Sequence, residues 1–284
     1  MHNWLDKIPT VPLADWAENA MDWMTSHFAS LFSFFQNSGT SIMNNVTDFF
    51  ISIPPILFIL IFAGLTFWIT KSKWGLTTFT CIGLLFIYNQ GLWEHLMFTL
   101  TLVLFSSVIA VLVGIPFGIL MAKNSMVEAI IKPILDFMQT MPSFVYLIPA
   151  VAFFGIGIVP GVFASVIFAI PPTVRFTNLG IRQIPKELTE SSESFGSTSW
   201  QKLIKIDLPL AKSTIMAGIN QTVMLSLSMV VIASMIGAPG LGRDVLSALQ
   251  RAQIGNGFVA GISLVLIAII IDRLTQNISK KREA

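Results

Sequence analysis

Long runs of apolar residues constrain this chain more than any other feature of its sequence. A helix needs roughly 20 mostly apolar residues to cross a bilayer, and about seven stretches meet that length. Because a lipid interior offers the backbone no hydrogen-bond partners, such stretches must form helices. The sequence therefore predicts an all-α membrane protein with about seven spans. They lie near residues 53–70, 75–93, 96–122, 134–155, 158–178, 214–237 and 257–275.

The composition agrees with a membrane protein and excludes several other classes. Charged residues make up 11% of the chain, whereas soluble domains carry about 25%. The net charge of +2 is too small to indicate nucleic-acid binding. The single cysteine, Cys81, offers neither a disulfide framework nor a thiolate metal site. His2, His27 and His95 are far apart in sequence and have no nearby ligand partner, so we predict no metal site.

Residues 1–52 differ from the rest of the chain. From Leu13 onward, apolar residues that include Trp16 and Trp23 recur at helical spacing, with acidic residues such as Asp15 elsewhere on the wheel. Tryptophan on such a face is typical of a membrane interface. We predict an interfacial or scaffold helix, with a helix packed only on protein as the alternative. The acidic start does not have the pattern of a signal peptide.

Basic residues predict the orientation of the chain in the membrane. If the basic C-terminus Lys280–Arg282 is cytoplasmic, only Lys7, Arg243 and Arg251 fall on the outside, and the other basic residues lie inside or near the inner interface. Seven spans then leave the N-terminus outside. The polar stretch between the fifth and sixth spans, Glu187–Pro209, is then cytoplasmic.

That stretch, Glu187–Pro209, is the longest polar interruption in the chain. We predict a short helix over Lys186–Phe195, which begins after Pro185 and ends at a reversal at Gly196. A second helix is expected to follow and to end at Pro209. Its predicted apolar face consists of Trp200, Leu203, Ile204 and Leu208. Such order indicates a binding surface for a partner outside the membrane. The alternative is a solvated connector between two spans.

The sequence lacks an energy source of its own. It contains no Gly-x-x-x-x-Gly-Lys-[Ser/Thr] phosphate loop, and no serine has a His or Asp partner within a span. Ion-coupled carriers usually need ionisable residues near the midplane of the membrane. Asp136 and the Asp272-Arg273 pair instead fall near predicted cytoplasmic ends. We therefore predict that catalysis is absent from this chain and that its driving energy comes from elsewhere.

The polar segment resembles a known signature. Glu190-Ser-Ser-x-x-x-Gly196, nine further residues and then Ile206-x-Leu208-Pro209 resemble the cytoplasmic loop of permease subunits in binding-protein-dependent ABC importers. That family has Glu-Ala-Ala where this chain has Glu-Ser-Ser, a change from small residues to small residues. The flanking segments narrow the resemblance to glycine betaine/proline betaine permeases. They are residues 139–149, 154–161, 168–175, 217–224 and 227–236.

The resemblance implies a type I importer core and an assembly. It covers residues 95–277, with a coupling loop at 180–212. Outside this core are the N-terminal segment 1–52, two accessory spans at 53–94 and a basic tail at 278–284. The implied partners are a second permease chain, a cytoplasmic ATPase that binds ATP and magnesium, an external substrate-binding protein and membrane lipids. The residues implied to couple to the ATPase are Glu187, Glu190, Ser191, Ser192, Gly196, Ile206, Leu208 and Pro209.

Two further groups of residues are tentative candidates. Aromatic faces hold quaternary ammonium ions well, so Phe144 and Tyr146, with Phe153 and Phe154 nearby, are candidates for the translocation path. The polar residues of the sixth span are further candidates for that path: Asn220, Gln221, Ser226 and Ser228. The external gate and binding-protein dock is expected at Gly237, Pro239, Gly240 and Gly242. The implied cargo is a betaine; choline, carnitine or an amino acid are alternatives, and so, less favoured, are an ion-coupled carrier and a structural membrane anchor.

Overall fold

The computed structural model describes residues 11–70 and 74–280, and the elements found there are helical. Lys7, Lys71, Lys73 and the tail residues Lys281 and Arg282, which contribute to the predicted charge asymmetry, lie outside the described residues. The helices before the transporter core are α1 Leu13–His27, α2 Ala29–Ser52, α3 Pro55–Ile69 and α4 Trp74–Asn89. Those that follow are α5 Trp93–Lys123, α6 Ser125–Thr140, α7 Leu147–Phe154, α8 Ile158–Arg182, α9 Lys186–Ser194, α10 Ser199–Lys202, α11 Leu208–Ser234, α12 Leu241–Gln250 and α13 Ile254–Lys280.

Four helical stretches in the described residues are long and apolar enough to cross a membrane. They are Trp93–Lys123, Ile158–Arg182, Ser199–Ser234 and Ile254–Ile278. Two bent pairs raise the number to as many as six if each pair forms one span: α2 with α3, bent by 97°, and α6 with α7, bent by 110°. Helix α4 has 16 residues, which gives about 24 Å against a hydrocarbon core of about 30 Å. The predicted number of about seven spans is therefore not confirmed.

The stretch 134–155 was predicted as one span, and the structure divides it between two helices that meet at an angle of 110°. Helix α6 ends at Thr140, and a 3₁₀ turn over Ser143–Tyr146 leads into α7. The break falls at Pro142, which has no backbone N–H to donate, and Met141 before it is extended, with φ −67° and ψ 134°. The chain therefore turns sharply inside the predicted span.

The N-terminal helices pack on the core unevenly. Helix α1 has no buried residue, so the predicted apolar face that includes Trp16 and Trp23 is exposed. Helix α2 contacts α5, and the hydroxyl of Thr47 donates to that of Thr101 at 2.9 Å. Phe32, also in α2, stacks on Phe153 of α7 with ring centroids 4.8 Å apart. The predicted N-terminal helix is therefore present as two helices, α1 and the beginning of α2, and its position at a membrane interface stays a prediction.

Helices α5, α8 and α11 form the centre of the molecule and pack closely through small residues. A Cβ added to Gly118 of α5 would come within 2.5 Å of the Thr177 Cβ of α8. Gly114, four residues earlier, faces Thr173 in the same way at 2.7 Å. Glycines spaced by four residues let two helix backbones approach closely in a membrane. Thr173 also hydrogen bonds to Thr222 of α11, with 2.7 Å between the hydroxyl oxygens.

Helix α8 remains continuous through Pro171 and Pro172. Beside this proline pair, the Thr222 hydroxyl of α11 donates to the Ala169 carbonyl at 2.9 Å. Prolines are tolerated in a spanning helix when a neighbouring helix supplies hydrogen bonds to the affected region. The polar segment between α8 and α11 thus connects two of these closely packed central helices.

Candidate functional site

The polar segment between α8 and α11 begins with the short helix α9, which agrees with the predicted first helix. Its last turn closes as a Schellman motif, in which Gly196 N–H donates to the Glu193 carbonyl at 2.9 Å and Ser197 N–H to the Ser192 carbonyl at 3.1 Å. Gly196 has φ +80°, a left-handed conformation that a residue with a side chain rarely adopts. The predicted reversal at Gly196 is therefore confirmed.

Helix α9 has one inward side and one exposed side. Ser192 is buried and Thr189 is half-buried, so small residues occupy the side that packs on the protein. Glu187, Glu190 and Ser191 are exposed, as are the apolar side chains of Leu188 and Phe195. Carboxylates beside exposed apolar side chains form a surface suited to a protein partner rather than to lipid alone.

The second half of the segment begins with a capped turn. Thr198 accepts a hydrogen bond from Gln201 N–H at 3.3 Å, and the Gln201 side chain accepts one from Thr198 N–H at 2.9 Å. This reciprocal capping box starts α10. Trp200 of α10 is exposed, whereas Leu203 just after it is buried. The predicted apolar face is therefore only partly turned inward.

The prediction that the second helix ends at Pro209 is wrong. A π-helical turn over Leu203–Asp207 connects α10 to α11, and the stretch Ser199–Ser234 forms one helical run. Pro209 lies in the first turn of α11. A proline needs no N–H donor in a first turn, and the wider π turn before it accommodates the shift in hydrogen bonding. Ile206 is half-buried in the π turn and Leu208 follows it.

The predicted external gate forms the turn between α11 and α12. Gly237 and Gly240 have φ +86° and +118°, and Pro239 lies between them. Thr99 of α5 accepts a hydrogen bond from Leu241 N–H at 2.9 Å and so holds the start of α12.

Helix α12 packs tightly on its neighbours. A Cβ added to Gly242 would lie 2.4 Å from the Val230 carbonyl oxygen of α11, so the two backbones touch. Asp244 pairs with His95 of α5, with 2.6 Å between Oδ2 and Nδ1. No local sequence pattern points to this pair, because its members are 149 residues apart.

The predicted aromatic cluster does not lie on one surface. Phe144 is 58% exposed, whereas Tyr146 is 4% exposed and its hydroxyl donates to the Met138 carbonyl. Phe153 and Phe154 pack with Phe32 of α2 and so belong to the contact between α2 and α7. Of these four aromatic residues, Phe144 alone is largely exposed.

The four polar candidates in α11 also differ in whether their side chains are exposed or engaged within the chain. Gln221 and Ser228 are exposed and lie two helical turns apart on one side of the helix. Ser226 is buried, and its hydroxyl has no hydrogen-bond partner in the described part of the chain. Asn220 donates to Asp272 of α13 at 3.1 Å, and its carbonyl oxygen accepts from the Thr275 hydroxyl.

Asn220 thus contributes to the contact between α11 and α13.

No cluster of three or more metal-ligating side chains of the His, Cys, Asp or Glu type occurs in residues 11–70 and 74–280.

Comparison with known proteins places this arrangement in a family. A family model described as "Binding-protein-dependent transport system inner membrane component" matches residues 114–283. The match covers more than half of the chain and includes α8, the polar segment and α11. The chain belongs to this family. It is therefore a component of a transport system, and the predicted resemblance is confirmed.

Individual relatives of this transport component are similar over nearly its whole length. The glycine betaine/carnitine transport permease protein GbuB of Listeria monocytogenes is 57% identical over 99% of this chain and 100% of its own length. The glycine betaine transport system permease protein OpuAB of Bacillus subtilis is 50% identical over 99% of both chains. The glycine betaine/proline betaine transport system permease protein ProW of Escherichia coli is 44% identical over 95% of this chain and 76% of its own.

Solved structures agree on the fold of the transport component. The chain resembles the MetNI methionine ABC transporter in an inward facing conformation, with a TM-score of 0.59, 21% identity and coverage of 65% of this chain and 93% of that one. At this identity the likeness bears on the fold alone. The predicted all-α membrane fold with the core of an ABC importer permease is confirmed.

Proposed function

We propose that this chain is the membrane-spanning permease subunit of an ATP-driven importer for glycine betaine or a closely related quaternary ammonium compound. The observation that carries the proposal is the 57% identity with a glycine betaine/carnitine permease over 99% of the chain. The ordered polar segment between α8 and α11 supports it, because a transport chain with no phosphate loop needs a contact through which an ATPase can act.

The proposed assembly contains two copies of this chain, two cytoplasmic ATPase chains and an external substrate-binding protein. ATP and magnesium are bound by the ATPase. The proposed orientation has the C-terminus in the cytoplasm, since this leaves few basic residues outside. The N-terminus then lies outside if the chain crosses the membrane an odd number of times, as the seven predicted spans require. Residues 95–277 form the transporter core, with the coupling loop at 180–212, and the accessory helices at 53–94, the N-terminal segment 1–52 and the basic tail at 278–284 surround it.

Helix α9 is the proposed contact with the ATPase. Glu187, Glu190 and Ser191 are exposed on it and would enter a groove of the ATPase, while buried Ser192 and left-handed Gly196 fix the helix to its base. Ile206, Leu208 and Pro209 form the base that leads into α11. Movement of the ATPase dimer would then move α9 and bias a bistable bundle between inward-facing and outward-facing states.

The translocation path is proposed to form between the two permease copies. Gln221 and Ser228 on α11 and Phe144 before α7 remain exposed in the single chain, so they are the candidates for that path. Asn220, Ser226 and Tyr146 would act indirectly, because each is engaged or buried within the chain. The turn that contains Gly237, Pro239, Gly240 and Gly242 is the proposed external gate and dock for the binding protein.

Carnitine is the second candidate cargo, since relatives that are 57% and 30% identical carry carnitine in their names. Choline and amino acids are less favoured alternatives.

Uptake into liposomes tests this function. The complex of this chain with its ATPase and binding protein is expected to accumulate labelled glycine betaine only when ATP is supplied on the ATPase side. Competition with carnitine, choline and proline then ranks the cargo. Accumulation driven by an ion gradient without ATP would contradict the proposal, whereas strong preference for carnitine would change only the cargo.

A further inference from the structure

Two basic residues connect α9 with the end of α5. In the coupling segment, Lys202 of α10 donates to Glu193 of α9 at 2.5 Å. Lys123, the last residue of α5, donates to the carbonyl of Ser199, the first residue of α10, at 3.5 Å. Helix α10 is therefore held by α9 on one side and by the spanning helix α5 on the other.

Asp207 lies buried five residues after Lys202. It is 3% exposed, and it belongs to the π turn between α10 and α11. Burial disfavours its charged carboxylate most, the positive charges of Lys202 and Lys123 partly offset this effect, and the negative charge of Glu193 adds to it. A buried carboxylate is costly unless cations compensate its charge, so the two lysines reduce the cost of burying Asp207. π turns occur frequently at functional sites.

The upstream end of the coupling segment also contacts the end of α5. Arg182, the last residue of α8, donates to the Met121 carbonyl of α5 at 2.9 Å. The same guanidinium pairs with Glu128 of α6 at 2.7 Å. Arg182 before α9 and Ser199 after it thus both contact the corner where α5 ends and α6 begins.

We propose that Asp207, Lys123 and Lys202 are positioning residues that make α9, α10 and the α5–α6 corner move as one body. A force applied to α9 would then reach α5 directly, in addition to the covalent paths through α8 and α11. A displacement passes between elements when charged and packed contacts hold them in one arrangement. The inference rests on the proposed function, because the force comes from the partner ATPase.

The test measures how many substrate molecules enter for each ATP hydrolysed in liposomes that contain the whole complex. Asp207→Asn and Lys123→Gln are each expected to lower this ratio about tenfold, equal to about 1.4 kcal/mol of lost coupling free energy. Lys202→Met should do the same, while Lys202→Arg should retain the ratio because it keeps the charge. Lys205→Gln is the matched control, since Lys205 is an exposed cation of the same segment.

Three outcomes decide the matter. An unchanged ratio in Asp207→Asn and Lys123→Gln would overturn the inference and leave the proposed function intact. A proportional fall of hydrolysis and uptake, with the ratio constant, would show a purely structural role and would also overturn it. If Asp207→Asn does not assemble, Lys123→Gln carries the test, because the Lys123 side chain is exposed. Absence of ATP-dependent uptake in the unmodified complex would instead remove the proposed function.

Discussion

Replacing Gly196 tests whether the end of α9 presents that helix to its partner. A Cβ added at this position meets no atom within 4 Å, so Gly196→Ala causes no steric clash. The cost comes from the backbone alone, because an L-residue at φ +80° loses about 1–2 kcal/mol. A loss of about 1.4 kcal/mol lowers the equilibrium constant for closing the Schellman motif about tenfold.

This loss matters because α9 has nine residues, too few for a helix that is stable alone. We therefore expect Gly196→Ala to reduce ATP-driven uptake, Gly196→Val to reduce it further, and Gly196→Asn to reduce it least, since asparagine tolerates the left-handed region. The assay is betaine uptake into liposomes at equal amounts of assembled complex, with ATP hydrolysis measured in parallel. Equal uptake in the glycine, alanine and valine proteins would refute the reasoning.

Three further predictions concern packing, the gate and the path. Gly118→Ala is expected to destabilise the detergent-solubilised chain by about 1–3 kcal/mol in thermal unfolding, because its Cβ would overpack the contact with α8, whereas Gly64→Ala, with no atom within 4 Å, should change little. Thr99→Val should lower the stability by about 1–3 kcal/mol, because it removes the hydrogen-bond acceptor of the buried Leu241 N–H. His95→Ala should lower the stability by less than about 1 kcal/mol, because solvent screens its partly exposed pair with Asp244. The reverse order would contradict the assigned contacts. Phe144→Ala should lower uptake without changing the affinity of the binding protein for betaine, and normal uptake would remove Phe144 from the path.

The sequence was sufficient for features with local causes. Helix α9 could be predicted because Pro185 and Gly196 delimit it, and a membrane protein could be predicted because the apolar runs leave the backbone no alternative to helices. The effect of proline was harder to predict. A sharp bend falls at Pro142 in its predicted span. By contrast, α8 continues through Pro171, and Pro209 lies in the first turn of α11. Neighbouring helices and hydrogen bonds decide these outcomes, and neither is visible in the local sequence.

Contacts between distant residues were also out of reach. Asn220 was a candidate for the path because it is polar and lies in a span, but Asp272 engages its amide from α13. Tyr146 was a candidate because it is aromatic, but it is buried and bonded to a carbonyl. Asp207 carried no signal because nothing in its local pattern reveals that its side chain is buried. Composition identifies residues capable of a role, and only packing shows which surface they face.

Cross-linking from α9 tests the central claim that energy enters through the segment Glu187–Pro209. The chain's single cysteine allows a Cys81→Ser background, in which Glu190→Cys carries a thiol-linked photoreactive probe. Arg251→Cys on the opposite predicted side is the matched control, since both side chains are exposed. In membranes that contain the whole complex, we predict cross-linking to the ATPase from position 190 and none from position 251. The opposite pattern, or no cross-link from position 190 in a complex that hydrolyses ATP, would contradict the account.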